Sequence, residues 1–387
     1  MAERTYDRNE LLRAFSLALD LAERQPLNHA TRTAYVALQT ARALSLSDTE
    51  VEDIFIAAFL HDIGSTESAC DLQTDSSIFM NHTELGGQLM AMMPFSEQAA
   101  EYVHSHHSSW NQSGETCQER APVGAQIIQL ADRMELRYDK SRFYFDQMLD
   151  HRAWVKKHRG ECFAPEVVDA FLEICSREKF WLDFTSSGIE LVLKEIQPNL
   201  TAQVSKTEVE QIANVFAAII DSKSSFTYHH SRGVADIMDK LAPLFLESED
   251  EIFQLRVAAL LHDLGKLAVP QEILDKPGKL TALEFEKIKA HSYYTKVILG
   301  RVRGFEQIKE WAGNHHETID GHGYPEHRTD LSNPERLMAV ADVYQALIEE
   351  RPYRSPMSSV QALKVMKEMV GQNKLCVAGV AMLETVI

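Results

Sequence analysis

Apolar residues recur at helical spacing along nearly the whole chain, and alternating strand-like runs are scarce. The clearest segments are VEDIFIAAFLHDIG and DEIFQLRVAALLHDLG. Each has apolar positions spaced for a buried helix face, and each closes on a glycine, Gly64 or Gly265. The pattern predicts an all-α protein. SRFYFDQMLDHRAWVKKH reads as an ordinary amphipathic helix, one of several that would close the first half over residues 140–195. The helical pattern breaks at IQPNLTAQVSK, where proline and polar residues mark a boundary near Gln197 to Ser205. Two domains are expected, residues 1–200 and 201–387.

The two segments also resemble each other, and the histidines around them repeat in step. His29 to His61 spans 32 residues, as does His230 to His262. His82 to His106 spans 24, as does His291 to His315. His107 to Asp132 is 25 and His316 to Asp342 is 26. The one unequal gap, 21 residues from His61 to His82 against 29 from His262 to His291, is of a size that loops absorb. Such a series of matched intervals marks a tandem duplication.

Composition narrows the function. With 45% hydrophobic and 25% charged residues the chain has globular composition. No run approaches the roughly 20 apolar residues that cross a bilayer. The opening MAERTYDRNELLRAF has no apolar centre of the kind a secretory signal needs. Five scattered cysteines, none in a CxxC pair, fit reduced thiols in a cytoplasm. A formal charge of −18 argues against long nucleic acids as partners. A small anionic substrate remains compatible, provided local cations or metal attract it.

Sixteen histidines are the compositional anomaly. In the second half His230, His262, Asp263, His291, His315, His316 and Asp342 form a candidate ligand set. Imidazole with carboxylate suits iron, manganese, nickel or zinc better than an all-oxygen calcium site. Seven donors exceed one tetrahedral ion, so a two-metal centre is expected, with Asp263 able to bridge through its two oxygens. Neighbours on a helix diverge by about 100°, so His262 and Asp263 could face different flanks of it.

HDLGK (His262–Lys266) followed by HHETIDGHGYP (His315–Pro325) is similar to the two signature segments of the HD-GYP phosphodiesterases, and VADVYQALIEERPYR (Val340–Arg354) looks like their third. The resemblance covers roughly residues 205–370. It implies two tandem HD-superfamily helical bundles, a centre of two divalent ions (iron or manganese first, nickel, magnesium or zinc also admitted), and hydrolysis of a cyclic dinucleotide. Cyclic di-GMP cleaved to pGpG and on to GMP is the first expectation, cyclic GMP-AMP the alternative. A non-catalytic sensor or scaffold is the rival from another class.

By the same resemblance His230, His262, Asp263 and Asp342 would hold one metal, and Asp263, His291, His315 and His316 the other. Asp263 and Lys266 would be catalytic, and Lys266, Arg351, Arg354 and Tyr324 would meet substrate. The Gly-Tyr-Pro loop could also dock a diguanylate cyclase, and a homodimer is compatible with the sequence. Three positions depart from the family. Phe226 stands where trinuclear members carry a metal-binding Glu, favouring two ions, while Gly233 replaces a common Arg and Thr295 a usual Gly.

The first half keeps every ligand type in His29, His61, Asp62, His82, His106, His107 and Asp132. It has Ser65 in place of the lysine, and HHSSWNQSGETC (His106–Cys117) lacks the GYP end. Metal binding remains open there and phosphate handling is weakened. A silent regulatory or dimerisation domain, a hydrolase of another nucleotide and a second cyclic-dinucleotide site are the competing readings.

Overall fold

Helices dominate, as the periodicity predicts. The structure, a computed structural model, describes residues 4–23, 27–65, 76–111, 120–199, 201–223, 229–350 and 355–387, without the side chains of 76–81. By its contacts the chain divides into two units. One comprises Phe15–Ser65 with the described residues of Ala69–Ala202; the other comprises the residues up to Ala14 together with Gln203–Ile387.

The first unit runs α1 (Arg8–Ala22, begun in the other unit), α2 (His29–Ala43), α3 (Asp48–Leu60), α4 (Ser76–Ala91), α5 (Glu97–Ser105) and α6 (Val123–Leu136). It closes with α7 (Tyr144–Lys157), α8 (Pro165–Ile174), α9 (Glu178–Thr185) and α10 (Ile189–Ile196). The second has α11 (Lys206–Lys223), α12 (His230–Leu241), α13 (Glu249–Leu261), α14 (Gln271–Leu274), α15 (Ala282–Leu299), α16 (Glu306–Gly313), α17 (Asn333–Ile348), α18 (Ser359–Gly371) and α19 (Val377–Val386). Helices α2 to α6 recur as α12, α13, α15, α16 and α17. In both units the first of these five packs on the second and the fifth, and the third packs on the fourth.

Helix starts follow their capping signals. Ser47 with Glu50, Thr281 with Glu284 and Ser332 with Glu335 are reciprocal boxes that satisfy the first-turn N–H groups of α3, α15 and α17. The second halves of α3 and α13 are apolar all round, and every residue of Ile54–Leu60 and Val257–Leu261 is buried. A helix end of this kind has no solvent face and must lie in the middle of its bundle. That is why the His-Asp pair at its end lies in the interior.

Both helices stop one residue before that pair, at Leu60 and Leu261. His262 is the helix cap, and Asp263 opens a short 3₁₀ turn, Leu264–Ala268. The glycines explain the break. A Cβ on Gly265 would lie 1.9 Å from the His291 carbonyl oxygen, and one on Gly64 would lie 2.1 Å from that of His82. Only glycine lets the turn press against the backbone of α15 or α4.

The amino terminus departs from the expected division at residue 200. A strand Tyr6–Asp7 pairs antiparallel with Gln203–Val204, Tyr6 opposite Val204. Arg303 reaches Glu10 at 2.7 Å, and Arg4 reaches Asp250 at 2.8 Å. These pairings tie residues 4–14 to the second unit, and no helical periodicity announces them. Among the described residues no helix is long and apolar enough to cross a membrane.

Gly265→Ala is expected to destabilise the protein by about 1–3 kcal/mol through overpacking. Thermal denaturation against wild type checks this, and an unchanged midpoint would refute the close approach.

Candidate metal centre

In the second unit the ligand candidates arrive from five separate places. His230 is the first residue of α12, and the Asp221 carboxylate braces that helix start by accepting from the Ser231 N–H. His262 and Asp263 follow α13, His291 lies within α15, His315 and His316 follow α16, and Asp342 lies within α17. His230, His262, Asp263, His291 and His315 are buried to 2% exposure or less.

Three imidazoles are held by one device. Nδ1 lies 2.7 Å from the Ala259 carbonyl in His262, 2.6 Å from Ile288 in His291 and 2.6 Å from Ala312 in His315. A carbonyl can only accept, so Nδ1 carries the proton and Nε2 presents its lone pair. The Nε2 atoms of His291 and His315 then face each other at 3.2 Å with no proton to share, and that of His262 is buried without a hydrogen-bond partner. Converging lone pairs of this kind are what a cation would relieve, so the donors fit divalent metal.

Asp263 divides the cluster. Its Oδ2 lies 3.3 Å from His262 Nε2 and 3.8 Å from His230 Nε2, whereas Oδ1 lies 3.4 Å from His291 Nε2 and 3.8 Å from His315 Nε2. Asp342 Oδ1 joins the first group, 3.0 Å from His230, and its Oδ2 lies 3.8 Å from His316 Nδ1. The ligating atoms of His230, His262 and Asp342, and those of His291, His315 and His316, each fall within 4.8 Å of one another.

The charge states suit ligands. Burial opposes ionisation of Asp263, but Lys266 and then His262 outweigh it and hold the carboxyl well below the usual range. Asp342 is also held low, burial being overcome by its bond from His230 and by His316. Burial, together with neighbouring positive charge, lowers His291 to about 3 and also lowers His315 and His316, which are therefore neutral near pH 7. His230 goes the other way. Burial disfavours its charge, but bonds to Asp342 and Glu349 raise it to about 10. A cation arriving at His230 must displace that proton.

Lys266 sits on the wall of a cleft of about 510 Å³, its Nζ 2.5 Å from Asp263 Oδ2. Ile288, Val343, Ala346 and Leu347 form the apolar side of this cleft. The Tyr324 ring packs on His316, a residue of the cleft wall, with centroids 4.8 Å apart. Arg351, Arg354 and Phe226 lie outside the described residues.

Sequence reasoning passed over three supporting residues, Glu349, Glu317 and Glu335, and named Thr295 without a role. Glu349 orients His230 at 3.0 Å; it lies seven residues after Asp342, two helical turns on, a spacing that could have flagged it. Thr295 accepts from Gly265 N at 2.9 Å and donates to His262 O at 3.0 Å, so this departure from the family serves packing. Glu317 accepts from the N–H groups of Glu326 and Arg328, folding the Gly-Tyr-Pro loop back on the histidine pair. A Cβ on Gly323 would come within 2.4 Å of Glu317 and Thr318 backbone atoms, so this loop needs its glycine. Glu335 accepts from Asn314 Nδ2 at 2.6 Å, fixing the residue just before His315.

The first unit repeats the pattern. Asp62 Oδ2 lies 3.1 Å from His61 Nε2 and 3.5 Å from His29 Nε2, while Oδ1 lies 3.3 Å from His82 Nε2. Asp132 Oδ1 lies 3.5 Å from His29. His82, His106 and His107 form the other group.

A model of the HD domain matches residues 13–161 and again 214–375. The chain belongs to the HD-domain family, in two copies, and its relatives are of the HD-GYP type read from the motifs. Over 92% of its length it is 31% identical to the 3'3'-cGAMP-specific phosphodiesterase 1 of Vibrio cholerae, covering 86% of that protein. A crystal structure of a V. cholerae cyclic GMP-AMP-specific phosphodiesterase, V-cGAP3, matches with a TM-score of 0.69 at 26% identity, over 99% of this chain and 98% of that one. A cyclic di-GMP phosphodiesterase of Pseudomonas aeruginosa is 35% identical across 41% of this chain and 39% of its own length.

Glu349→Gln is expected to weaken divalent-metal binding about 10- to 100-fold, since an orienting partner of a ligand histidine is worth that much. Manganese titration of the purified chain measures it, and equal affinity would show that His230 needs no such brace.

Proposed function

We propose that the second unit hydrolyses a phosphodiester of 3'3'-cGAMP at the centre built around Asp263. The chain is a cyclic-dinucleotide phosphodiesterase, as its family and relatives imply. The observation that carries the site is the division of Asp263, one oxygen toward His230 and His262 and the other toward His291 and His315. Cyclic di-GMP, the first expectation from sequence, yields to the alternative. The cGAMP-specific relative aligns through both units, whereas the cyclic di-GMP relative matches 41% of the chain.

Two divalent cations, when bound, supply Lewis-acid stabilisation of the phosphoryl oxygens and favour deprotonation of an attacking water. The mixed imidazole and carboxylate donors suit iron or manganese. The chain's own residues do the rest. Asp263 and Asp342 remain ionised, and His291, His315 and His316 remain neutral, so the donors are ready at physiological pH. Lys266 can trade part of its pairing with Asp263 for a phosphate oxygen and stabilise the charge that builds there. It also places a local cation at the cleft of a chain whose formal charge is −18. The apolar side formed by Ile288, Val343, Ala346 and Leu347 offers a surface for a base.

Lys266→Gln should lower kcat by about 10²-fold while bound metal stays constant; a parallel loss of metal would make Lys266 a structural partner of Asp263 instead. Steady-state kinetics on both dinucleotides should give kcat/KM about tenfold or more in favour of 3'3'-cGAMP. Equal or faster turnover of cyclic di-GMP would overturn the assignment.

A further inference from the structure

We propose that the outward face of α7, in the first unit, docks a second copy of this chain, the two helices running antiparallel across a two-fold axis. This goes beyond the proposed function and uses none of the residues assigned to it.

Helix α7 follows the five helices that recur in the second unit, and it supplies none of the ligand candidates. Its inward face is fully engaged. Gln147, His151 and Val155 are buried there. The Gln147 amide donates to the Asp139 and Arg142 carbonyls at 2.9 and 3.2 Å. The His151 ring lies 5.7 Å from that of Trp181, and Trp154 lies 5.6 Å from Phe163. The helix is thus seated in its own unit, and what lies opposite is true surface.

On that surface the apolar residues are out of place. Phe143 is 65% exposed, Phe145 58% and Leu149 65%. Single apolar residues scattered over a surface are ordinary, but several gathered at one end of a helix form a patch of the kind that marks an interface.

Charge says what covers it. Along α7 the acids Asp146 and Asp150 come first, and Arg152, Lys156 and Lys157 come last. None of these five makes an ion pair with another described residue. The helix macrodipole accounts for that order, but not for aromatic rings left in water beside it. An antiparallel second copy accounts for both. It lays the acidic half of one helix on the basic half of the other, and symmetry does so twice.

The register follows from the helix itself. At about 100° per residue, Asp146, Asp150 and Lys157 share one edge of the outward face, while Phe145, Leu149, Arg152 and Lys156 share the other. A two-fold axis level with His151 sets like edges together. Asp146 then meets the partner's Lys157, and Phe145 and Leu149 lie on the aliphatic stems of the partner's Lys156 and Arg152. An anionic membrane would instead face Asp146 and Asp150, on a chain whose formal charge is −18. Two such faces bury on the order of 1,000 Å² in all, the low end for specific interfaces, so a micromolar dimer is expected.

Sedimentation equilibrium of the full chain from about 1 to 200 µM is the test. Wild type is expected to pass from monomer to dimer across that range, and Leu149→Asp to stay monomeric with its helical circular dichroism unchanged. Asp146→Lys and Lys157→Asp should each raise the dissociation constant about tenfold, since two pairs are lost at once. Combined in one chain they should restore it, which an unrelated partner surface would not do. A wild type that stays monomeric overturns the proposal, whether or not it sediments with anionic vesicles. So does a dimer indifferent to Leu149→Asp, and failure of the combined variant to recover overturns the antiparallel pairing. If Leu149→Asp unfolds, Phe145→Asp replaces it under the same expectations.

Discussion

The structure depends on one carboxylate placed between two sets of imidazoles. Asp263 can serve both only because the helix before it ends at Leu261 and the turn after it presses onto α15. Everything nearby enforces that approach. Gly265 has no side chain to obstruct it, Thr295 stitches the two backbones together, and the apolar last turns of α13 draw the helix end inward. Burial then acts on the chemistry. It makes His291, His315 and His316 costly to protonate, so these three present lone pairs, while the carboxylates stay charged only because cations and imidazoles surround them.

Duplication shows which parts of this design are separable. Both units tether ligand histidines by Nδ1 to the carbonyl three residues earlier, and both turn the oxygens of one aspartate toward different histidines. They differ in the residue after the glycine. With Lys266 the second unit offers a positive charge at the edge of an open cleft. With Ser65 bonded to Glu23 the first offers no positive charge at the same backbone position, and burial pushes the Glu23 carboxyl well above its usual range. The candidate ligands and the residue after the glycine are different side chains, so one can change without the other.

The candidate ligands were readable in the sequence because a duplication writes its intervals twice, and His230, His262, His291 and His315 keep those of the first half. The all-α class was readable because helical periodicity is local. The motif names Tyr324 without saying which way its ring faces; the structure packs it on His316. The pairing of Tyr6 with Val204 escaped notice for a related reason, since two-residue strands carry no period.

The sequence by itself determined the helices, the repeat and the kinds of donor atom, since each depends on residue type and short spacing. Only the tertiary structure decided which nitrogen of each histidine is free, which oxygen of Asp263 faces which set, and that Glu349 and Glu135 orient the first histidine of their units. Those properties arise from contacts between helices up to 119 residues apart, as between His230 and Glu349, and packing in three dimensions settles them.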